Sequence, residues 1–74
     1  MTYTVIKKEL RGELVLTEVA YIINGQQHVV EVYHSIFGLT EQGIIDKIEM
    51  QGIVEQNRLA AIEAAKELIS TINL

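Results

Sequence analysis

The side chains able to do chemistry are few, and most of them stand alone. Glu18 and Glu31 form the most suggestive pair, because a tight turn at Asn24-Gly25 sets them opposite each other on adjacent strands. Two close carboxylates can share a proton, work as acid and base, or hold a hard cation. Like charges facing each other are otherwise mildly unfavourable. The middle of a flat sheet has no concave pocket, so two solvated side chains relieved by Lys7 are the better reading. His28 and His34 share one strand and one face. About 20 Å of extended chain separates them, so a single chain cannot bring both to one metal. Facing Tyr21 and Val15 respectively, they read as packing residues.

The remaining groups lack partners. Ser35, Ser70 and the threonines have no base at a recognisable spacing. Gly12, Gly25, Gly38, Gly43 and Gly52 are scattered singly, which excludes a glycine-rich phosphate loop. Asp46 is the only aspartate, so there is no calcium loop. With no cysteine there is no disulfide, no thiolate nucleophile and no cysteine-based zinc site. The expectation is a chain that is not an enzyme, with no metal, no cofactor and no small-molecule substrate.

Charge argues against nucleic acid. Six Lys+Arg against ten Asp+Glu leave a net charge of −4. Lys7, Lys8 and Arg11 make the one basic cluster, and Glu9 and Glu13 interrupt it, whereas phosphate binding needs clustered Lys and Arg. Residues 44–62 read as helix, glycine break, helix, which loosely suggests helix-turn-helix. The second helix would open Glu55-Gln56-Asn57-Arg58 and then turn acidic, and Ile48 stands where a tight crossing wants a small residue. Glu41, Asp46, Glu49, Glu55, Glu63 and Glu67 could steer the chain to a basic partner. A solvated helix face has the same composition.

These residues must be positioned by a small body. Seventy-four residues make one domain, 1–74, near the lower limit for a self-sufficient core. With 49% hydrophobic residues the chain is too apolar to be disordered. No apolar window reaches the ~18 residues of a membrane span, and Lys7, Lys8 and Glu9 break any signal-like start. A soluble cytoplasmic protein with no membrane association is expected.

Residues 3–10, 13–23 and 27–37 are rich in Val, Ile, Tyr and Thr and read as strands. Arg11-Gly12 serves as the first turn. Asn24-Gly25 is the second, since a type I′ turn needs positive φ at both central residues. After Phe37-Gly38 the period changes. Thr40 reads as a helix N-cap, with Glu41 in the first turn and Leu39 and Ile44 spaced as a hydrophobic staple. Gly52 either breaks or kinks the helix. Beyond it Ala61, Ile62, Ala65, Leu68, Ile69 and Ile72 fall on one stripe. The predicted fold is α+β: a three-stranded antiparallel meander, then one bent or two consecutive helices on one sheet face.

A two-residue turn at Asn24-Gly25 fixes the register. One face then carries Val19, Val30, Val32 and, from the first strand, Thr4, Ile6 and Lys8. The helices should cover it, burying Ala65, Leu68, Ile69 and Ile72. The other face holds Tyr3, Val5, Leu14, Leu16, Ile22, Tyr33 and Phe37 beside Lys7, Glu9, Glu18 and Glu31. That is more apolar material than a solvated sheet face normally shows. These seven apolar residues are the predicted interface.

Three strands and a helix are also similar to the arrangement in double-stranded-RNA-binding domains and some antitoxins. The RNA-binding pattern needs a helix before the strands and a basic cluster opening the last helix, and Gly38-Leu39-Thr40-Glu41 supplies neither. The expected function is a protein–protein interaction module that self-associates, as a dimer first, or binds another protein through the second face. The alternatives are an acidic regulator occupying the basic site of a nucleic-acid-handling protein, and a small nucleic-acid-binding regulator.

Overall fold

The computed structural model describes residues 1–73. Strands β1 (Thr2–Arg11), β2 (Leu14–Ile23) and β3 (Gln26–Ser35) form one antiparallel sheet in the order β1-β2-β3. A single helix, α1 (Glu41–Thr71), follows. This is the α+β arrangement read from the sequence.

The β2–β3 turn is the expected one. Asn24 and Gly25 have φ of 52° and 77°, the pair of positive values that a type I′ turn requires. The register follows from it: Glu18 opposes Glu31, Tyr21 opposes His28 and Val15 opposes His34.

The β1–β2 pairing differs from expectation. The turn is Gly12-Glu13, one residue later than Arg11-Gly12, with Gly12 at φ 59°. That change alone moves β1 along β2 by two residues and leaves its faces unchanged. A bulge then interrupts the ladder between Val5, opposite Val19, and Lys7, opposite Glu18. Ile6 is the extra residue. Because side chains alternate with a period of two, one inserted residue exchanges the faces of everything before it. Tyr3 and Val5 therefore oppose Tyr21 and Val19 on the helix side, while Thr4 turns to the other side. Ile6, expected in the core, is half exposed.

The core lies between the sheet and the first part of the helix. Val19, Tyr21, Ile23, Val32 and Ile48 are buried together, with Tyr3, Val5, Val30, Ile44 and Leu59 packed against them. The helix starts where the sequence indicated: Thr40 accepts a hydrogen bond from the Gly43 N–H at 3.0 Å. It runs back over β2 and β3, with no comparable packing on β1.

Helix α1 is continuous through Gly52. The glycine serves a close approach rather than a break. The Tyr21 hydroxyl donates to the Ile48 carbonyl at 2.6 Å, which lays the ring across the helix. A Cβ at position 52 would stand 2.8 Å from Tyr21 Cε1 and 2.7 Å from Met1 Cε.

The C-terminal stripe is not in the core. Leu68, Ile69 and Ile72 are 65%, 68% and 50% exposed, and Ala65 is exposed with them. Two geometric facts account for this. A 31-residue helix is about 46 Å long and a ten-residue strand about 33 Å, so the last eight or nine residues outrun the sheet. The stripe is also turned roughly a quarter of a revolution from the line Ile44–Ile48–Leu59 that faces the strands. The molecule measures 51 × 23 × 17 Å, its length set by this projecting arm.

Candidate functional site

The predicted interface residues divide between two sides of the sheet. Tyr3 and Val5 join the core; the Tyr3 and Tyr21 rings lie 6.1 Å apart at 56°. Leu14, Leu16, Ile22 and Tyr33 remain on the open face, and Phe37 follows β3 in the loop. Leu16 is only 1% exposed although no helix covers that face. The register puts Glu9 on one side of it and Tyr33 on the other. Glu9 pairs with Lys7 at 3.3 Å and also with Arg11, and the Tyr33 hydroxyl donates to Glu31 at 2.8 Å. Long polar side chains can cover apolar surface with their carbon stems while their heads stay in water, and Leu16 is flanked by two such residues in the register.

The charges of this network tune one another. The Arg11 guanidinium, and then Lys7, hold the Glu9 carboxyl below its ordinary range, and Glu9 in turn raises Arg11. The hydrogen bond to Glu31 pushes the Tyr33 phenol up. What stays apolar and exposed is split. Leu14, Tyr33 and Phe37 lie toward one end of the sheet, Ile22 and Val29 toward the other, with Glu18 and Glu31 between.

His34 is the one buried histidine. Its Nε2 lies 3.1 Å from Thr17 Oγ1, and the Thr17 hydroxyl donates to the Val32 carbonyl at 3.3 Å. Burial, and then the Lys47 charge, hold the imidazole below its usual pKa. A hollow of about 220 Å³ adjoins it, lined also by Ser35, Thr40 and Lys47. Ser35 and Thr40 already accept the backbone N–H groups of Phe37 and Gly43. Among the described residues, the one side-chain hydrogen-bond partner of the imidazole is Thr17, and no carboxylate bonds to it. Among the described residues, no three of His, Cys, Asp and Glu gather as metal ligands.

Two larger concavities flank the helix. One, about 410 Å³, separates α1 from β1 and is lined by Tyr3, Val5, Lys8, Thr17, Ile45 and Ile48 among others. The other, about 570 Å³, is the wedge where the helix leaves the β2–β3 turn, between Ile23, His28, Leu59, Ile62 and Lys66. Every helix residue from Ala60 to Thr71 is exposed, those beside the wedge and those beyond it alike. The sequence pattern did reveal the arm's apolar stripe, but assigned it to the core. Arg58, at the root of the arm, pairs with Glu55, whose carboxyl it holds low.

In comparisons with known proteins, the chain matches no protein-family model, no curated protein and no solved structure. No helix among the described residues is long and apolar enough to cross a membrane.

Proposed function

We infer that this chain is a protein-interaction module with no chemistry of its own, and that its first partner is a second copy of itself. One observation carries the reading: the helix outruns its sheet, leaving Leu68, Ile69 and Ile72 bare on a common stripe. Contiguous exposed apolar surface marks an interaction site in a soluble chain. The open sheet face contributes less than its sequence suggested, since Leu16 is already covered and charges divide the rest.

Sedimentation equilibrium at micromolar concentration tests the reading, run at low salt and at about 1 M salt. The expected result is a dimer that persists at high salt, where exposed charge interactions are screened over about 3 Å. A monomer at both salts would overturn self-association. An assembly that dissolves as salt rises would point to the charged helical face instead.

A further inference from the structure

We propose that the arm pairs with the same arm of a second copy as an antiparallel two-helix coil, centred on Ala65. This rests on the self-association proposed above and specifies its geometry. The periodicity comes first. Positions 58, 61, 65, 68 and 72 follow one another at spacings of three, four, three and four, the seam that a helix offers to another helix. Ile62 and Ile69 widen it on one side.

Reflected about residue 65, the stripe is nearly complementary to itself. Ala61 meets the partner's Ile69, and Ile62 meets the partner's Leu68. Ala65 meets its own copy on the twofold axis. Small faces large at the outer level, and two alanines allow close approach at the centre.

Charge decides the direction. In a parallel pair each seam residue faces itself, so Arg58 would oppose Arg58. The antiparallel pair sets Arg58 level with the end of the partner's helix instead. That end carries the negative pole of the helix dipole and has no basic residue in its last turn. The partner's helix, ending at Thr71, stops level with Arg58, which sets the two sheets toward opposite ends of the pair. Four turns of contact give less than the ~1,200 Å² of a standard stable interface, so micromolar association is expected.

The chain has no cysteine, which makes single-cysteine variants unambiguous. In the full chain, Ala65→Cys should oxidise to a disulfide-linked dimer. A mixture of Arg58→Cys and Ile72→Cys chains should cross-link to each other, while Arg58→Cys alone should not. Ala65→Glu should weaken association more than about 100-fold, by facing two carboxylates across the axis, and should leave the monomer's melting temperature unchanged, because residue 65 is exposed there. Cross-linking of Arg58→Cys to itself would overturn the antiparallel direction. A dimer that neither cross-links at 65 nor responds to Ala65→Glu would overturn the arm while leaving self-association standing. A monomeric unmutated chain would overturn both.

Discussion

At the residue scale, Tyr21 and Gly52 belong to one contact. The ring needs the space that a missing Cβ leaves, and its hydroxyl needs the Ile48 carbonyl. Helix propensity alone favours Gly52→Ala by about 1 kcal/mol. Overpacking against a ring held on both sides costs about 1–3 kcal/mol. The variant is therefore expected to be less stable in urea titration, and equal or greater stability would refute the contact. His34 gives a second test. Its folded pKa lies below the ordinary 6.5, so the unfolded chain binds more protons as pH falls. The stability from keeping it neutral is complete above about pH 6.5. It declines as pH drops through the folded value, by at most ~1.4 kcal/mol per pH unit. His34→Gln should flatten the stability profile between pH 7 and 5; an unchanged slope would place the titration elsewhere.

At the scale of elements, helix α1 is two helices in function although one in geometry. Residues 44–59 fasten it to β2 and β3, and the remainder projects. Ile48→Ala should destabilise by roughly 2–5 kcal/mol, the range for emptying a buried aliphatic site. Leu68→Ala should change the stability of the monomer by less than about 0.5 kcal/mol, as exposed positions do. Denaturant titration at submicromolar concentration measures both; a large Leu68 effect there would mean that the arm folds back on its own sheet. The bulge in β1 is the other element-scale device. It puts Tyr3 and Val5 into the core and leaves Ile6 outside.

For the whole molecule, stability should be uneven. A helix without tertiary packing is marginal over so few turns, so amides 62–71 should exchange with solvent much faster than those of 44–59 when the chain is dilute. Raising the concentration into the micromolar range should slow exchange in the arm and leave the Asn24-Gly25 turn unaffected. Equal protection along the helix at every concentration would contradict a free arm.

Local chemistry settled much of this in the sequence. Asn24-Gly25 dictated a tight turn, and that turn dictated which residues of β2 and β3 oppose each other, Glu18 and Glu31 among them. Thr40 marked the helix start because its hydroxyl supplies an acceptor to a free N–H. The spacing of Ala61, Ala65, Leu68 and Ile72 declared an apolar stripe. Its covering was decided only by tertiary structure, because a stripe specifies a face and not its neighbour. Strand length against helix length left it past the end of the sheet. The faces of β1 were likewise hidden: a single bulged residue reverses the alternation, and nothing in Val5-Ile6-Lys7 announces it. Gly52 read as a break or a kink in the helix for the same reason. Propensity records the helix it weakens, whereas the Tyr21 ring lying against it comes from a distant strand and is held there by its hydroxyl bond to the Ile48 carbonyl.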